Sequence, residues 1–224
     1  MATEKVLPQV YVRTSDKFLD LLHYQFRVLK TALPPARSFA YQVPALLSEM
    51  GELQGVIAKE VRDNKGEPNY PARQAELGDV AYLTALLLND LGCKHVTPAN
   101  SRKVGDLDLQ VELGRFYPAF APGAVFAPVQ VAAFKFTSPK GKMSSTVKAT
   151  FAGHLQRFWC SLPYLTEFLL GSAPEYVSRR AAARTEHGLA LVREAMWQDV
   201  LAANVAKLAD RANRGVIEGS GDYR

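Results

Sequence analysis

The sequence predicts a mainly α-helical bundle, and three observations lead there. Apolar residues recur at helical spacing through most of the first 92 positions and again near the C-terminus. Prolines and glycines fall where those helices should start and stop. Two acid pairs, Glu49-x-x-Glu52 and Glu76-x-x-Asp79, stand inside the apolar stripes rather than on the faces opposite them.

Residues Ser15 to Leu33 read as a first helix, capped by Ser15 or Asp16, with Phe18, Leu21, Leu22, Phe26 and Leu29 on its buried side. Pro34-Pro35 stops it. A second helix starts near Tyr41 to Pro44, with Pro44 tolerated in its first turn, and runs to about Asp63. Asn64 to Asn69 is rich in turn formers. A third helix begins near Pro71 or Ala72 and ends at Leu91-Gly92, where the glycine suits a C-cap.

The next stretch has a different texture. Leu107, Leu109, Val111 and Leu113 alternate with polar residues as in a strand, and Val125 to Phe136 is β-prone among prolines. Lys140-Gly141-Lys142 reads as a turn, and Ser144 to Leu170 as a helix broken near Pro163. A last helix is expected from Pro174 to Arg214, and Gly215 to Arg224 as a loop or arm. The expected organisation is a helical core from 1–92 and 189–224, with 93–188 as an inserted mixed α/β segment.

With 48% hydrophobic and 22% charged residues, the 224-residue chain is typical of a globular protein able to bury a core. A net charge of +5 favours anionic partners, but the excess is modest and partly local to Lys207, Arg211, Arg214 and Arg224. A nucleic-acid partner is therefore not expected. Cys93 and Cys160 lack metal-ligand spacing and read as thiols of a reducing compartment. No apolar segment follows the charged start after Met1, and the apolar run around Val80 to Leu91 is too short to span a bilayer. The expectation is a cytoplasmic protein with no membrane partner.

Members of each acid pair lie three residues apart, about 60° around a helix, so both can face one point. Leu46, Glu49, Leu53 and Ile57 share one stripe; Glu76, Val80, Leu83 and Leu87 share another. Carboxylates turned toward a core are costly unless something positive neutralises them. Two neighbouring helices with two such acids each make a site for a hard divalent cation, Mg²⁺ or Mn²⁺. A solvated helix face explains a single pair; two pairs on consecutive helices joined by one loop are harder to explain that way.

At this point the residues resemble a family. Leu47-Ser48-Glu49-Met50-Gly51-Glu52-Leu53 and Gln74-Ala75-Glu76-Leu77-Gly78-Asp79-Val80 are similar to the E-x-x-E and E-x-x-D segments of the MazG-like all-α nucleoside triphosphate pyrophosphohydrolases, many of them phage-encoded. Asn204-Val205-Ala206-Lys207 resembles the family's N-x-x-K motif. The ending from Arg214 to Arg224 is similar to its R-G-x-x-x-G-x-G-D-N-R tail, with Tyr223 in place of the usual Asn. The resemblance covers about 10–92 and 190–224. It departs in spacing, because Asn204 follows Asp79 by 125 positions where the family keeps the motifs close.

The resemblance implies a bundle completed by dimerisation, hence a homodimer or higher homo-oligomer. It implies a metal-dependent hydrolase acting on a nucleoside triphosphate, (d)NTP plus water giving (d)NMP and pyrophosphate, with Mg²⁺ or Mn²⁺ held by Glu49, Glu52, Glu76 and Asp79. If the chain is phage-encoded, its place is the host cytoplasm. The general base among the four is not assigned. Asn204 and Lys207, one helical turn apart, are expected on the substrate, Lys207 as a point charge on phosphate. Lys59, seven residues after Glu52, is a second phosphate-side candidate, and Arg211, Arg214 and Arg224 are candidates to close over the nucleotide.

Other residues leave alternatives open. Glu60 is either a support for the metal or a solvated acid. Phe18, Tyr24 and Phe26 are either base-pocket walls or core. His23, His95, His154 and His187 show no ligand or triad spacing, and the absence of Glu-x-x-His motifs excludes a di-iron carboxylate bundle. Related readings are a pyrophosphohydrolase tuned to phosphoribosyl-ATP or a purine deoxynucleotide such as dGTP, and, from another class, a basic helical nucleic-acid- or protein-binding module.

Overall fold

The computed structural model of the chain describes residues 20–94 and 145–214. Among the described residues the architecture is mainly helical, with six α-helices and no strand. The strand expected at Leu107–Leu113, the β-prone stretch to Phe136 and the turn at Lys140–Lys142 lie outside the described residues.

Helix α1 spans Leu21–Leu29 and is capped by Asp20, whose Oδ1 accepts from the His23 backbone N–H at 2.8 Å. Ser15 and Asp16, the expected caps, lie outside the described residues. The buried face is also rotated from the expected one. Leu21, Tyr24, Gln25 and Val28 are buried, whereas Leu22 and Phe26 are exposed. Gln25 belongs to this buried face: its Nε2 donates to the carbonyls of Ala85 and Cys93, while its buried Oε1 has no partner among the described residues. The helix ends at Leu29, and the Arg37 guanidinium donates to the Leu29 and Ala32 carbonyls left without helical partners.

After a 3-10 turn at Pro34–Arg37, α2 runs from Phe39 to Asp63. It begins earlier than expected, so Pro44 lies beyond the first turn and the exposed Ala40 carbonyl is left without its i+4 donor. Lys65 and Gly66, with φ of 54° and 87°, reverse the chain. Asn69 then caps α3, Tyr70–Asp90, by accepting from the Ala72 N–H, and Gly92 (φ 79°) closes its far end. From Leu77 to Leu88 this helix is buried on nearly every side, because it packs against α1, α2 and two later helices.

The first of these is α4, Ser145–Leu170, and the second is α6, Glu186–Asn213; a short α5, Pro174–Ala182, leads from one to the other. Pro163 does not break α4. The helix passes through it unbroken, with Leu155, Phe158, Leu162, Leu165 and Leu169 buried. The single helix expected from Pro174 to Arg214 is two, because Thr185 caps a new start by accepting from the Gly188 N–H. Apolar residues of all six helices form one contiguous core, and α4 and α5, which fall within 93–188, contribute Phe158, Trp159 and Tyr176 to it.

One buried ion pair ties α2, α3 and α4 together. The Nε and Nη2 of Arg73 donate to the two Glu60 carboxylate oxygens, at 2.5 to 3.2 Å, while its Nη1 donates to the Leu169 carbonyl. The Asn69 N–H completes the set on Glu60 Oε1. Glu60 is thus neither a metal support nor a solvated acid; it is a buried brace. Among the described residues no helix is long and apolar enough to cross a membrane.

Candidate metal centre

The loop between α2 and α3 folds them back on each other, which brings residue 60 to residue 73 and the region of residue 49 to that of residues 76–79. At the latter level Glu49, Glu76 and Asp79 each offer a carboxylate oxygen, all within 4.8 Å of one another. All three side chains are half-buried at the margin of the core stripes made by Leu46, Met50 and Leu53 on α2 and by Leu77 and Val80 on α3. Glu52 is not one of the three that converge, although its charge reaches Glu49.

The crowding has an electrostatic signature. The Glu49 carboxyl is pushed up from an ordinary 4.5 to about 7, first by burial, then by the charges of Asp79, Glu52 and Glu76, with Lys207 acting in the opposite sense. This much negative charge around one half-buried group makes a candidate site for a cation, with Lys207 already offsetting part of it. The donor set fits a hard one: oxygen ligands of Mg²⁺, each about 2.1 Å from the metal, stand about 3–4 Å apart.

Helix α6 supplies the other half of the site. Asn204 Nδ2 donates to Asp79 Oδ1 at 3.0 Å, and Lys207 Nζ lies 2.5 Å from Asp79 Oδ2. The spacing of Asn204 and Lys207, three residues on one helix, lets each take one oxygen of the same carboxylate. Asn204 is buried, and its Oδ1 accepts the Tyr24 hydroxyl at 2.7 Å. Gly78 makes this approach possible, because a Cβ there would stand 3.0 Å from Asn204 Cβ and 3.1 Å from its Nδ2. The glycine beside Asp79 is therefore a close-packing residue between α3 and α6.

The remaining predicted site residues are placed less centrally. Lys59 is exposed, and its positive charge acts, as the smallest of the causes, to hold the Asp63 carboxyl below its usual value. Arg211, one turn beyond Lys207, is half-buried; Arg214 is exposed and pairs with Asp210 on its own helix at 2.6 Å. Arg224 lies outside the described residues. Of the aromatics, Phe26 faces solvent, Tyr24 is core, and Phe18 lies outside the described residues. His23 bonds Asp20 and His154 meets Arg157, so neither joins the carboxylates.

Sequence reasoning missed Tyr24 as a partner of Asn204, and Gly78 as the residue that lets Asn204 in. The signal for Tyr24 was its place on a Leu21, Tyr24, Val28 stripe, which marks it as buried and so in need of a hydroxyl partner. No known protein family, curated protein or solved structure matches the chain.

Proposed function

We propose that the chain is a MazG-like, Mg²⁺- or Mn²⁺-dependent nucleoside triphosphate pyrophosphohydrolase, converting a (d)NTP to the (d)NMP and pyrophosphate. One observation carries the reading. The three converging carboxylates belong to the two acid motifs, and both polar residues of the distant N-x-x-K segment meet on one of them, Asp79. Motifs 125 positions apart in sequence thus share one site, as the resemblance requires.

Glu49, Glu76 and Asp79, with Glu52 beside them, are the residues to hold the cation. A divalent ion there supplies charge neutralisation for the triphosphate and acidifies a water. Asn204 holds one oxygen of Asp79 in place. The Lys207 ammonium, on a side chain 29% exposed, balances the cluster and is within reach of solvent, where it can meet a phosphate oxygen. Arg211 extends the same face of α6. The resemblance also implies a homo-oligomer, in which a second copy would complete the bundle.

The test is a panel of ribo- and deoxyribonucleoside triphosphates incubated with the protein and Mg²⁺ or Mn²⁺. Release of monophosphate with equimolar pyrophosphate is expected, with none in EDTA. Stoichiometric binding of nucleic acid without hydrolysis of any nucleotide would replace this reading with that of a binding module.

A further inference from the structure

Tyr24 stands outside the carboxylate cluster, on α1, and is wholly buried. Its ring packs 5.8 Å from that of Trp159, a contact that a phenylalanine would make equally well. The hydroxyl is a different matter. In the core it is costly unless bonded, and its bond goes to Asn204, the residue that touches Asp79. Two hydrogen bonds therefore run in series from α1 through α6 to α3.

The polarity of this series is set at its far end. An ionised carboxylate only accepts, so Asn204 must turn its NH₂ toward Asp79 and its carbonyl away. The carbonyl then needs a donor, and Tyr24 is that donor. Burial first, and then the negative charge of Asp79, hold the Tyr24 phenol well above its usual value, so the proton it donates stays in place. A half-turn of the Asn204 amide would set carbonyl against carboxylate and NH₂ against the phenol. Removing the hydroxyl leaves only the contact with Asp79 to oppose that half-turn.

We infer that Tyr24 is a positioning residue for the metal centre: it braces the Asn204 amide in the orientation that Asp79 selects, and thereby the direction in which Asp79 presents its oxygens to a divalent cation. This rests on the reading of Glu49, Glu76 and Asp79 as cation ligands. Gly78 belongs to the same device, since it sets how closely the Asn204 side chain approaches α3.

The experiment is a titration of the full chain with Mn²⁺ alone, read by the electron paramagnetic resonance of the free ion, with folding followed by circular dichroism. Tyr24→Phe should fold and bind Mn²⁺ about tenfold or more weakly, the range typical of residues that orient a metal ligand. Asn204→Ala should weaken binding as well, and the double variant should bind no more weakly than Asn204→Ala, because Tyr24 acts through Asn204. Wild-type affinity in Tyr24→Phe, or losses that add in the double variant, would overturn the inference while leaving the metal reading intact. Absence of Mn²⁺ binding by the wild type would overturn both. Should Tyr24→Phe not fold, Gly78→Ala carries the test: displacement of the amide should weaken Mn²⁺ binding, and unchanged affinity would contradict the positioning role.

Discussion

At the scale of single residues, Asp79 carries the most. It is a candidate ligand, it receives both Asn204 and Lys207, and it raises the pKa of Glu49. Asp79→Ala is expected to abolish metal-dependent hydrolysis, with kcat at least 100-fold below wild type by analogy with removal of one charge-stabilising group. Near-normal turnover would remove Asp79 from the site. Glu49 makes a prediction about pH. Its folded value of about 7 lies above the ordinary 4.5, so its contribution to stability is present below about 4.5 and lost as pH rises through about 7. A bound cation favours the ionised form and reverses that penalty. Thermal melts in EDTA should therefore decline across this window, and Glu49→Gln should flatten the decline. Mn²⁺ affinity should rise as pH climbs through about 7. A flat wild-type melt profile in EDTA, or an Mn²⁺ affinity that does not change with pH, would contradict the assignment.

At the scale of elements, the acid motifs were legible because two chemical facts coincide on one helix face: an apolar stripe and a charge that cannot pay for its own burial. The second and third helices follow from the same periodicity, and the glycine at the end of α3, Gly92, from residue type. What periodicity could not show was rotation about the α1 axis, since a glutamine is buried there with its NH₂ on backbone carbonyls from far along the chain. Nor could it show Glu60 and Arg73 as partners, because each alone looks like a surface charge. Their pairing makes Arg73→Ala a sharp test of the packing. Stranding a buried Glu60 should cost about 3–5 kcal/mol in chemical unfolding, whereas an exposed pair would cost under about 1 kcal/mol. The continuity of α4 through Pro163 was also hidden, since a proline reads as a break unless the packing around it is known.

At the scale of the whole molecule, α3 is the organising element. It is flanked by α1, α2, α4 and α6, and so brings a candidate ligand pair on its own surface beside a candidate ligand on α2 and the Asn204 and Lys207 contacts of α6. The separation of Asp79 from Asn204 in sequence concealed this convergence from spacing alone, and only the resemblance of the motifs suggested it. The proposed homo-oligomer predicts a solution mass of at least twice the chain's 24.7 kDa by light scattering. A wild-type mass equal to one chain would rule the oligomer out.

The central claim is that Glu49, Glu76 and Asp79 together hold a divalent cation. Crystals grown with Mn²⁺ and measured at its absorption edge address it directly. An anomalous peak at coordination distance from an oxygen of each of the three is the result predicted here. Saturating Mn²⁺ with no peak among them, and with Lys207 still seated on Asp79, would contradict it.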